Sequence, residues 1–90
     1  MKRIGVIGAG HVGLVTGACF AKLGNTVVVA DNDAKKIAGL KKLRLPFFEP
    51  GLDALVRQGV KKNLLAFTTS IAELTAKSEV IWPVLLKLVL

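Results

Sequence analysis

Gly8, Gly10 and Gly13 stand two and three positions apart within RIGVIGAGHVGLVTGACF, residues 3–20. Glycine weakens both strands and helices, so three of them where one apolar run passes into another call for a reason beyond secondary structure. Together they spell G-x-G-x-x-G, and each has a job in holding a pyrophosphate. Gly8 permits a tight turn, Gly10 lets phosphates reach bare backbone, and Gly13 lets the following helix pack close to a sheet. The start of that helix offers unpaired N–H groups and the positive end of its dipole to the phosphates. Asp31 completes the pattern 18 positions after Gly13. A carboxylate there accepts hydrogen bonds from the adenine ribose hydroxyls and repels a 2′-phosphate, which favours NAD over NADP. Asn32 follows, where an NADP site more often has arginine.

The motif has meaning only between a strand and a helix, and the flanking residues predict both. RIGVI (3–7) reads as a short buried strand, and VGLVTGACFAKL (12–23) as a helix buried on more than one side, stopped by Gly24-Asn25. TVVVA (26–30) is β-branched and continuous, as in a buried parallel strand. Asp31-Asn32-Asp33 supplies turn and capping chemistry for an amphipathic helix over 34–43. A proline-punctuated loop, PFFEPGL, leads to a short helix over 51–58 that Pro50 can open. LLAFTT (64–69) is a third strand. Ser70 and Glu73 form a capping box for a helix to about Ala76, and EVIWPV (79–84) is a fourth strand. Strands alternating with helices predict an α/β fold. It is the first half of a Rossmann-type doubly wound parallel sheet, strand order 3-2-1-4, in one domain over residues 1–90.

Composition narrows the alternatives. Apolar residues make up 52% and charged residues 21% of 90 residues, which fits a small folded domain. The net charge of +7 favours anionic partners. Its basic residues, Lys35, Lys36, Lys41, Lys42, Arg44, Lys61 and Lys62, have no aromatic residues interleaved for base stacking, so they read as a solvated face and not as a nucleic-acid surface. No apolar run reaches the ~18 residues of a membrane span, and glycines interrupt the apolar start too often for a signal peptide. The lone Cys19 reads as a small core residue in a cytoplasmic protein. No Cys/His cluster offers a metal site. His11 reads as a half-exposed neighbour of the dinucleotide without a catalytic partner. FAD shares the glycine fingerprint, but no flavin-specific feature is present.

Three segments, GAGHVGLVTGACFA, DNDAKKI and PFFEPGLDALV, resemble the N-terminus of the UDP-glucose 6-dehydrogenase family, which includes the GDP-mannose and UDP-N-acetylmannosamine dehydrogenases. The resemblance runs to about residue 82 and favours the UDP-glucose branch. It implies an NAD-dependent oxidation of a sugar C6 alcohol to a carboxylate, through a thioester on a catalytic cysteine. Gly8, Gly10, Gly13 and the backbone at His11 and Val12 would bind pyrophosphate, and Asp31 the adenine ribose. Lys36 matches a family lysine near that ribose, and Glu49-Pro50-Gly51 a loop on the active-site side of the cofactor domain. Residues 83–90, PVLLKLVL, depart from the family, whose fourth strand continues into a small-residue turn containing Thr-Pro. The catalytic cysteine, its helpers and the sugar-binding domain have no counterpart here, so no residue of this chain is assigned to catalysis. The expectation is a truncated or frame-shifted relative, inactive alone, that would meet a nucleotide sugar only as part of a full-length protein. The alternatives are a stand-alone dinucleotide-binding module without catalytic activity and a fragment of a GDP-mannose or UDP-N-acetylmannosamine dehydrogenase. The apolar end, Ile81 onward, is expected to lie exposed on a sheet edge and to favour a homo-oligomer through the C-terminal segment.

Overall fold

The computed structural model describes residues 1–82. The chain runs β1 (Arg3–Ile7), α1 (His11–Lys22), β2 (Thr26–Ala30), α2 (Ala34–Lys41), α3 (Leu52–Lys61), β3 (Leu65–Thr68), α4 (Ile71–Lys77) and β4 (Val80–Trp82). The four strands form one all-parallel sheet in the expected order, β3-β2-β1-β4. The helices are divided between its two faces. The steps from β1 to β2 to β3 march one way and put α1, α2 and α3 on one side. The return to β4 puts α4 on the other.

Alternation along the strands builds both layers. Ile4, Val6, Val27, Val29, Leu65 and Phe67 meet Leu14, Ala18, Ile37, Leu40, Leu52 and Val56 in the main core. On the reverse face Ala30 and Ile81 pack with Leu74 of α4, flanked by Ile7 and Val28. Two glycines not singled out by the fingerprint seat the helices. A Cβ at Gly17 would lie 3.0 Å from Val29, so α1 rests on the sheet there. A Cβ at Gly5 would lie 2.5 Å from the side chain of Leu74, which brings α4 down onto β1. β4 is secured at its start by the Glu79 N–H, which donates to the Arg3 carbonyl at 2.8 Å, and by the Arg3 N–H, which donates to the Glu79 carboxylate at 2.9 Å.

Gly13 lets α1 pack against the end of β1: a Cβ there would lie 1.9 Å from the Gly8 carbonyl oxygen and 3.5 Å from Val6. Several expectations are corrected. Cys19 is exposed, because the buried stripe of α1 is Gly13, Leu14, Gly17, Ala18 and Ala21 and position 19 falls outside it. α2 ends at Lys41, where Leu43 turns out of the helix at φ +63° while its side chain stays packed on the core. α3 is capped by Gly51 at φ +84° and not opened by Pro50. It runs to Lys61 because the bare backbone of Gly59 fits against Leu65. Ile81 is buried and Trp82 half-buried, not exposed. The remainder of the expected edge, residues 83–90 with its oligomer contact, lies outside the described residues.

Candidate functional site

The fingerprint residues gather at the carboxyl ends of β1 and β2. Gly8 leaves β1 with φ +103°, a conformation that favours glycine. Its N–H donates to the Ala30 carbonyl at 2.7 Å, so the turn is tied to the end of β2. Gly10 precedes α1 with extended backbone. No atom lies within 4 Å of where its Cβ would be, so space is left open in front of bare main chain. The first N–H groups of a helix have no intrahelical acceptor, and Gly10 supplies no side-chain cap to α1. α2 and α4, by contrast, are capped by Asp33 and Ser70. The first turn of α1 carries no acidic residue. His11, Val12 and Gly13 therefore present N–H groups and the positive dipole end to the open side of Gly10. That cradle fits a pyrophosphate.

Asp31 follows the last residue of β2, and its side chain is only 14% exposed. One oxygen, Oδ2, accepts from the Ala9 N–H at 2.9 Å and lies 3.5 Å from Lys36 Nζ. The other, Oδ1, accepts from the Asp33 N–H at 2.9 Å. A carboxylate offers about four lone-pair sites, so acceptor capacity remains for hydroxyl groups in the pocket that Asp31 borders. That pocket, about 240 Å³, is lined by Ile7, Gly8, Ala30, Asp31, Asn32 and Ile71. A larger groove of about 610 Å³ lies between α1 and α3, with His11 and Glu49 at one end. Only His11 of the fingerprint residues reaches it.

Burial raises the Asp31 carboxyl, but donation from Ala9 and Asp33 and the charge of Lys36 together outweigh it, leaving Asp31 below its ordinary value. A carboxyl whose folded pKa is depressed stabilises the fold above its unfolded pKa, about 4, and loses that contribution as pH falls through the folded value. In urea titrations from pH 7 to pH 2, the unmutated chain should therefore be more stable than Asp31→Asn at neutral pH. The gap should close below about pH 4. A gap that stays constant with pH would show that the Asp31 charge is not what these donors stabilise.

The sequence left His11 without a partner, and the structure supplies one. His11 Nε2 contacts Glu49 Oε1, and its ring lies 5.0 Å from that of Phe47. The loop between α2 and α3 is thereby drawn against the start of α1. Glu49 belongs to the loop expected on the active-site side, but its contact with His11 and the role of the Ala9 N–H have no signal in the sequence. Lys36 Nζ reaches Asp31 Oδ2 at 3.5 Å. Lys35, Lys41, Lys42, Arg44, Lys61 and Lys62 are exposed. Among the described residues no group of three or more His, Cys, Asp or Glu could hold a metal ion, and no helix is long and apolar enough to cross a membrane.

Residues 2–84 match the NAD binding domain of the UDP-glucose/GDP-mannose dehydrogenase family. The chain is 49% identical over 80 residues to a UDP-glucose 6-dehydrogenase of Rhizobium meliloti, covering 89% of this chain and 18% of that one. Among solved structures it superposes on a UDP-glucose dehydrogenase from Pyrobaculum islandicum with a TM-score of 0.86 and 31% identity, covering 90% of this chain and 19% of that one. A ternary complex of GDP-mannose dehydrogenase from Pseudomonas aeruginosa gives a TM-score of 0.84 at 33% identity, with 90% and 18% covered. The chain thus spans less than a fifth of the length of these relatives.

Proposed function

This chain belongs to the UDP-glucose/GDP-mannose dehydrogenase family, whose NAD-binding domain it matches, and we propose that it serves as the NAD-binding portion of a UDP-glucose 6-dehydrogenase. NAD is the cofactor of that domain. When bound, it supplies the hydride acceptor for alcohol oxidation. This chain's own residues bind and orient. The N–H groups of His11, Val12 and Gly13 hold the pyrophosphate over Gly10, with Gly8 shaping the turn. Asp31 takes the adenine ribose hydroxyls, and Lys36 steadies Asp31. The observation that carries the reading is the juxtaposition of an uncapped helix start, an open Gly10 and a half-buried carboxylate at one end of the sheet.

The UDP-glucose branch is favoured by the identities. The UDP-glucose 6-dehydrogenase of Rhizobium meliloti is 49% identical and the GDP-mannose 6-dehydrogenase of Pseudomonas putida 37%. Within the same reading the protein is cytoplasmic, meets a nucleotide sugar only as part of a full-length relative, and associates through its C-terminal segment. It carries no nucleic acid on its basic face.

Calorimetry tests the cofactor reading. NAD should bind at least 10-fold more tightly than NADP, because Asp31 faces the 2′-phosphate. Asp31→Ala should narrow that preference. With UDP-glucose and NAD, the 90-residue chain alone should produce no NADH. Equal affinity for NADP would remove Asp31 from the ribose site, and measurable turnover would overturn the division of labour.

A further inference from the structure

The geometry points to a second role for Asp31: it is the clasp that holds the β1–α1 turn in its phosphate-binding shape, acting through the Ala9 N–H. The inference rests on the cofactor reading above and extends it, since a ribose contact alone would leave the phosphate end of the site independent of Asp31.

The connections form a closed circuit. Ala9 is fully buried, so its N–H points away from solvent, and the partner it has is Asp31 Oδ2 at 2.9 Å. Its methyl group is part of the main core, which pins the middle of the turn from the other side. On the second carboxylate oxygen sits the Asp33 N–H at 2.9 Å, and Asp33 caps α2 by accepting from the Lys36 N–H at 3.1 Å. Lys36 then returns its ammonium to Asp31 at 3.5 Å. The glycine turn, the end of β2 and the first turn of α2 are thereby joined through one carboxylate. Donors in this number are what a fixed carboxylate accepts, and their directions set its position. Phosphate binding by backbone N–H groups depends on those groups being aimed before the ligand arrives. The Ala9 peptide lies between Gly8 and Gly10, and its orientation sets how Gly10 leads into α1. The ionisable groups that meet Asp31 are Lys36 and Asp33 of the α2 start. From the turn it faces Ala9, and across the pocket Ile71 of α4.

Inorganic pyrophosphate separates the clasp from a ribose contact, because it has no ribose. If Asp31 only binds ribose, Asp31→Ala removes a negative charge beside the phosphate site and pyrophosphate binds as well as before or better. If Asp31 is the clasp, the turn loosens and pyrophosphate binds at least 5-fold more weakly despite the lost charge. Hydrogen exchange followed by NMR should then show the Ala9 amide exchanging at least 10-fold faster in the variant, with the β2 amides unchanged. Unaltered Ala9 exchange together with unaltered or tighter pyrophosphate binding would overturn the proposal. Should the variant not fold, the unmutated chain gives the second test. On acidification the Ala9 amide resonance should move with the same midpoint as the Asp31 carboxyl carbon, and an Ala9 resonance that stays still would overturn the clasp. That titration needs no ligand. Failure of the chain to bind pyrophosphate or NAD would sink the cofactor reading while the Ala9 titration still decides the clasp.

Discussion

Gly13→Ala should cost the chain about 3 kcal/mol or more of folding stability, the upper end of what overpacking does. A methyl at this position would lie 1.9 Å from the Gly8 carbonyl oxygen and 3.0 Å from its carbon. Both atoms belong to the main chain, so no side chain can rotate to make room. Gly8 itself cannot retreat without breaking its 2.7 Å bond to Ala30. Relief has to come from α1 lifting away, which would pull Leu14, Ala18 and Ala21 out of the core. A chain of this size has on the order of 5–13 kcal/mol of stability in total, so a large share would be gone. Urea denaturation followed by circular dichroism reads the loss directly. An unchanged midpoint would mean that helix and turn do not approach this closely.

Three positions earlier the opposite outcome is expected. Gly10→Val should leave the fold intact and abolish cofactor binding. The backbone at Gly10 has φ −78° and ψ −171°, which any residue adopts, and nothing lies within 4 Å of its absent Cβ. Stability should therefore stay within about 0.5 kcal/mol, as for substitutions that touch no packed feature. The branched side chain would fill the space in front of the His11, Val12 and Gly13 N–H groups, where the pyrophosphate is proposed to lie. A loss of at least 100-fold in NAD affinity, about 2.7 kcal/mol, is the expected calorimetric result. A folded Gly10→Val chain that binds NAD normally would remove the phosphate cradle from this end of the sheet. The pair of variants thus assigns two glycines of one motif to different tasks, one to packing and one to the ligand.

Much of this arrangement was legible in the residues. The glycine spacing, the β-branched run before Asp31 and the capping signals placed every strand and the strand order. Ser70 shows why capping reads well. Its hydroxyl accepts from the Glu73 N–H at 3.0 Å, a local bond between residues three apart, and local bonds leave their mark in sequence. What escaped was made by tertiary contact or by main chain. His11 and Glu49 are 38 residues apart, and no periodicity links the start of a helix to a distant loop. The Ala9 N–H is a backbone group, so its bond to Asp31 leaves no trace in the residue type at position 9. Gly13 and Gly17 are one helical turn apart and look equivalent on a helix surface. Only the position of the turn above and the sheet below shows that the first clears a carbonyl and the second clears Val29. The exposure of Cys19 was missed because a run of small apolar residues does not reveal which side of the helix the sheet will take.

The bonds between Arg3 and Glu79 join positions 76 residues apart, and they carry a kinetic meaning. Closing so long a loop is entropically costly and brings few contacts until it is complete. β1, α1 and β2 are neighbours in both sequence and space and can assemble first. Among the described residues, α4 and β4 reach β1 only through contacts of long sequence separation. Ile71 of this unit forms one wall of the pocket beside Asp31. The ribose end of the site thus borders an element tied to β1 by long-range contacts, while its phosphate end rests on elements that are neighbours in sequence.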